Sequence, residues 1–133
     1  MRFEIERDVI NGKFDVEELP ELWNEKFKNL FGFYPKNHSE SDWYGGSFGY
    51  FPTYTLGNII SAQIFAKMKE ELPVYELVER GEFGPIILWL KHKIHSKGSL
   101  YKTKELIKEV TGEEMKSEYL VDYLRGKVER FYG

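Results

Sequence analysis

Apolar residues recur along this chain at three- and four-residue steps, and the steps stop at glycine or proline. Trp23, Phe27, Leu30 and Phe31 show the pattern near the start, and Leu120, Leu124, Val128 and Phe131 show it near the end. The period is helical, because about 3.6 residues complete a turn and return a side chain to the same face. Strict alternation, the mark of a half-buried strand, is found nowhere along the sequence.

The first helix is predicted over Arg2 to Asn11, with Phe3, Ile5, Val9 and Ile10 inward and Gly12 ending it. Asp15, with Glu18 three residues later, resembles a capping box, and Pro20 suits the first turn of a helix that runs to Gly32. From Phe33 to Gly49 the periodicity fails, and Pro, Asn, Ser, Asp and Gly gather in what reads as a loop. Pro52 opens a long helix to about Leu72, with Leu56, Ile59, Ile60, Gln63, Ile64 and Met68 on one face. Gly57 inside it is expected where another helix packs closely. A short helix follows from Val74 to Arg80. Another starts at Pro85, turns Ile86, Ile87, Leu90 and Ile94 inward, and ends near Gly98. Thr103 is expected to cap Lys104 to Val110, with Thr111-Gly112 as the stop, and Ser117 to cap the last helix. The expected fold is all-α, about seven helices joined by short Gly/Pro turns in a single helical domain over residues 1–133.

Composition narrows the classes. At 133 residues the chain suits one domain, and 19 Lys+Arg against 22 Asp+Glu, interleaved, leave no basic footprint for nucleic acid. The absence of Cys excludes disulfides, thiolate zinc sites and cysteine nucleophiles, and a reducing cytoplasm fits. No apolar run approaches the roughly 18 residues of a membrane span. Abundant Lys and Glu lean toward a heat-loving source. Aromatic residues make up 17%, more rings than a small interior hides, so some are expected to face a partner or a second copy of the chain.

Candidate chemistry is sparse. His92 and His95 form H-x-x-H, which would place two imidazoles on one helix face and could seed a zinc site if a carboxylate joined them. Lys91, Lys93 and Lys97 oppose a dication there, so cap or surface histidines are the favoured reading. His38 reads as a solvated loop histidine, and Glu40 with Asp42 as hydrated loop acids. Ser39, Ser41, Ser47 and Ser61 lack a G-x-S-x-G elbow, and Gly45, Gly46 and Gly49 lack the spacing of a phosphate cradle. Tyr50 and Tyr54 lie four apart at a loop-to-helix junction. Two readings compete for them: buried phenols with satisfied hydroxyls, or hydrogen-bond donors to charge developing on a substrate oxygen.

The run G-G-S-F-G-Y-F-P-T-Y-T-L-G-N-I-I-S-A-Q resembles the C-terminal signature of the thermostable, Taq-type zinc metallocarboxypeptidases. R-F-E-I-E-R from Arg2, L-P-E-L-W-N-E-K-F from Leu19, W-L-K-H-K-I-H-S-K-G-S-L-Y from Trp89 and T-G-E-E-M from Thr111 resemble further segments of that family in order. The resemblance implies a helical, cleft-containing peptidase fold that removes single residues from peptide C-termini with a divalent metal, often as a homodimer. The family's H-E-x-x-H and its third, glutamate ligand are not in these 133 residues. The G-x-x-Q-D-x-H-W element is also altered, with Asp42 standing before Trp43 in the histidine's place. What the resemblance carries over is Tyr54, and less directly Tyr50, as donors to substrate or oxyanion. The chain alone is therefore expected to hold no cofactor and to be inactive. Zinc or another divalent metal, and a peptide substrate, enter only if an N-terminal metallopeptidase partner completes the site. The alternative is a non-enzymatic helical interaction module or homo-oligomer.

Overall fold

The computed structural model describes residues 1–36 and 45–133. Among the described residues there are seven α-helices and no strand: α1 Arg2–Ile10, α2 Leu19–Phe31, α3 Phe51–Glu71, α4 Val74–Glu79, α5 Gly84–Lys93, α6 Thr103–Thr111 and α7 Glu118–Tyr132. Single 3-10 turns stand at Val16–Glu18 and His95–Lys97. The all-α reading therefore holds. No helix among the described residues is long and apolar enough to cross a membrane. The chain divides into two compact units, Met1–Thr55 and Leu56–Gly133.

In the first unit, Ile5, Leu22 and Trp23 form the buried centre, with Val9, Phe14, Leu19 and Phe27 packed on them. The predicted pair Asp15 and Glu18 does close the turn before α2. The Asp15 N–H donates to the Glu18 carboxylate at 2.8 Å, and the Glu18 N–H donates to the Asp15 carbonyl at 3.1 Å. Phe3 and Ile10, expected inward, are exposed. The inner face of α1 is instead shared by Ile5 with two acids, Glu6 and Asp8. Each acid is satisfied locally, Asp8 by Arg7 and by Lys13 at 3.0 Å, so its burial costs little. The lysine contact first, and Arg7 after it, hold the Asp8 carboxyl below its ordinary range.

The second unit is built on Met68, Val74, Trp89 and Val110, with Ile64, Phe65, Leu72, Ile86, Leu90, Ile94 and Leu106 around them. Ile107 is also fully buried, worth roughly 2–3 kcal/mol relative to an exposed position. Gln63 ties the unit together from α3. At 1% exposure, its Nε2 donates to Thr111 Oγ1 and to the Glu114 carbonyl, and its Oε1 accepts from the Lys116 N–H, each at 3.0 Å. A second bridge runs from α5 to Glu71, where Trp89 Nε1–H donates at 2.8 Å and Lys93 Nζ at 3.2 Å. Gly112 ends α6 at φ 83°, and its N–H reaches the Lys108 carbonyl at 2.9 Å, a left-handed cap that glycine enters without penalty.

Several expectations are corrected here. Ile87, expected inward, is 60% exposed, because α5 turns its broadest side chain, Trp89, to the core instead. Leu56 is exposed as well. A Cβ built on Gly57 meets nothing within 4 Å, so no helix packs closely on it among the described residues. Helix α6 begins at Thr103 itself, with Lys102 in the cap position, where its N–H donates to Glu105 at 3.0 Å.

Candidate functional site

The glycine-aromatic run reaches α3 at a junction that is held from two sides. Gly49 has φ 72°, a conformation open to glycine and strained for other residues, and its N–H donates to the carboxylate of Glu6 on α1. Glu6 is buried, so the bond forms away from bulk water and anchors the loop where it turns into the helix. On the next residue but one, the Phe51 ring lies under the Arg2 guanidinium at 5.2 Å, and the same guanidinium covers Trp23 at 5.6 Å. The Tyr50 carbonyl caps the first turn by accepting from the Thr53 N–H at 3.0 Å and from Thr53 Oγ1 at 2.6 Å.

Tyr50 and Tyr54 are brought together. Their ring centroids lie 5.2 Å apart and the planes meet edge to face at 81°. Tyr50 stands one residue before α3 rather than within its first turn, and Tyr54 stands inside it. Both rings are open, 53% exposed at Tyr50 and 60% at Tyr54. Among the described residues neither hydroxyl has a hydrogen-bond partner. The reading of buried, satisfied phenols is therefore set aside. Two neutral phenols side by side at a helix N-terminus can donate to an oxyanion, which the positive end of the helix also favours. They cannot themselves generate a nucleophile from water.

The histidine pair is not carried on one continuous helix. His92 sits in the last turn of α5, the backbone breaks at Ile94 with φ −123° and ψ −64°, and His95 starts the 3-10 turn beyond. Both rings are exposed, and the His92 carbonyl accepts from Ser96 Oγ at 3.0 Å. Among the described residues no group of three or more His, Cys, Asp or Glu side chains converges to hold a metal. Two exposed imidazoles among lysines, with no carboxylate joined to them, do not fit a zinc centre. His38, Glu40 and Asp42 lie outside the described residues.

Glu6 is the residue that sequence reasoning missed. The pattern of α1 assigns its inner face to apolar positions, and an acid there reads as solvated. Only the position beside Ile5 and Val9 hinted that it turns inward.

A family model for the carboxypeptidase Taq (M32) metallopeptidases matches residues 1–128. The chain is similar to Carboxypeptidase 1 of Bacillus subtilis, 44% identical over 138 residues, covering 99% of this chain and 28% of that protein. Thermostable carboxypeptidase 1 of Pyrococcus furiosus is 41% identical over 133 residues, covering 96% of this chain and 27% of the relative. Among solved structures, an M32 carboxypeptidase from Deinococcus radiodurans superposes with a TM-score of 0.91 at 30% identity, over 99% of this chain and 28% of the other. The chain thus spans little more than a quarter of the length of the relatives it matches.

Proposed function

The chain belongs to the carboxypeptidase Taq (M32) metallopeptidase family, and from that premise we propose that it supplies one wall of a peptidase cleft whose water-activating residues lie elsewhere in the fold. Tyr54, with Tyr50 beside it, donates hydrogen bonds to the scissile carbonyl of a peptide's C-terminal bond and to the oxyanion that follows. The reading is supported by one observation above all: two exposed phenols without partners, 5.2 Å apart, at a junction that Glu6 holds in place. No residue of this chain takes the role of general base, so peptide hydrolysis requires a partner chain or segment bearing H-E-x-x-H and its divalent metal. That is the electrophilic half of a hydrolytic site without the nucleophilic half, and alone it is inactive. The cysteine-free composition supports a cytoplasmic setting.

The test is to complete the fold, placing this chain in the position of the matching portion of the Bacillus subtilis relative. Release of C-terminal amino acids should then be chelator-sensitive, and Tyr54→Phe should lower kcat by about 10²-fold with little change in KM, as expected for a donor used in the transition state. An unchanged kcat refutes the role of Tyr54.

A second reading is favoured by the extent of uncovered apolar surface, which includes Phe31, Phe33, Phe48, Tyr75 and Phe83. Here the chain is a non-enzymatic interaction module that associates with itself or another protein. Light scattering discriminates, since a monomer at high concentration opposes self-association.

A further inference from the structure

The last helix, α7, carries an apolar seam that the described residues of its own unit leave open. Its inner side is occupied. The Tyr119 hydroxyl donates to Glu113, and the Tyr123 ring meets Phe65 edge-on at 6.3 Å. Further round the helix, Val121, Leu124, Val128 and Phe131 follow at steps of three, four and three, the spacing with which one helix seats against another. At about 100° per residue these four fall within an arc of roughly 80°. Exposure is 51% at Leu124, 57% at Val128 and 67% at Phe131, and no residue of α7 is buried. Four large apolar side chains in line are the mark of an interface rather than of a solvated face.

Two observations identify the occupant. Over 99% of its length the chain superposes on a solved M32 carboxypeptidase of which it covers only 28%, so the same helices there continue into a much larger body. The seam is also edged by cations, Lys127 on one side and Arg125 on the other. Lys127 Nζ lies over the Tyr123 ring at 4.8 Å, and Arg125 is 3.2 Å from Asp122. A second copy of the chain would set the same cations against one another, whereas carboxylates would complement them. We propose that Val121, Leu124, Val128 and Phe131 form the docking surface for the part of the M32 fold that this chain does not span. The segment seated there is an apolar helix face edged with carboxylates. The proposal rests on the reading of the chain as one portion of a larger peptidase.

The experiment compares the isolated chain with the chimera in which it replaces the matching portion of Bacillus subtilis Carboxypeptidase 1. Leu124→Asp together with Val128→Asp should move the melting temperature of the isolated chain by less than about 2 °C and lower that of the chimera by about 10 °C. Arg125→Glu with Lys127→Glu should lower the chimera by about 3 °C and leave the isolated chain in place. Equal shifts in both proteins overturn the proposal. So does an isolated chain that light scattering finds dimeric and that the double aspartate variant renders monomeric, because the occupant is then a second copy. Tyr54→Phe in the same chimera reads the peptidase role separately. A chimera whose stability responds to the seam while its turnover ignores Tyr54 upholds the docking surface and refutes the cleft role.

Discussion

Replacing Gln63 by Leu tests whether one buried amide holds the second unit together. The substitution nearly conserves volume, so the core should not collapse around a cavity, and the loss isolates three hydrogen bonds. Gln63 Nε2 gives up Thr111 Oγ1 and the Glu114 carbonyl, and Oε1 gives up the Lys116 N–H, all at 3.0 Å. Thr111 keeps its own bond to the Ile107 carbonyl at 2.8 Å, so the hydroxyl is not stranded. The two backbone groups are, at a cost of about 1–3 kcal/mol each when water cannot reach them. Glu114 and Lys116 are exposed residues, so water recovers part of this, and the net loss should fall near 2–3 kcal/mol. That is a large share of the roughly 5–15 kcal/mol of an ordinary domain. Urea unfolding followed by far-ultraviolet circular dichroism gives the global value, and amide exchange in residues 113–117 gives the local one. The Lys116 amide should lose its protection. A loss below about 0.5 kcal/mol with the amide still protected would show that the segment after α6 is held by its own contacts.

Acid should weaken the bridge at Glu71. The indole N–H of Trp89 foremost, and Lys93 after it, hold the Glu71 carboxyl below its ordinary value of 4.5. The folded state therefore binds fewer protons than the unfolded one between those two values, and stability rises with pH there; it is complete above the ordinary value and lost as pH falls through the folded one. Glu71→Gln should flatten the acid limb of urea midpoints taken between about pH 3 and 6, though not remove it, because Asp8 and Glu113 are shifted in the same direction. For the loop anchor, Glu6→Ala should release the Gly49 amide, seen as about tenfold faster exchange, while Glu6→Gln, which keeps an acceptor, should largely preserve it. Equal exchange in the two variants would deny Glu6 its anchoring role.

Helix identity was open to reading along most of the chain, because propensity, proline starts and glycine stops agree with the apolar period. The α2 start with Asp15 and Glu18 and the stops at Gly32 and Gly112 follow local rules, and local rules need only neighbouring residues. Inward and outward assignments fared less well. Ile87 and Leu56 satisfy the helical period and still face solvent, since period alone does not say how wide a face its neighbours cover. Within the site, the proximity of Tyr50 and Tyr54 followed from their spacing, but their exposure did not.

Family membership, the all-α class and the tyrosine pair were settled by the order of residues, because motif, period and cap are all short-range properties of a chain. Folding in three dimensions decided that an acid on α1 reaches the loop 43 residues away, that Gln63 bridges α3 to the segment after α6, and that the seam of α7 lies bare. Those facts depend on which surfaces meet, and a one-dimensional pattern is silent about the partner a surface finds.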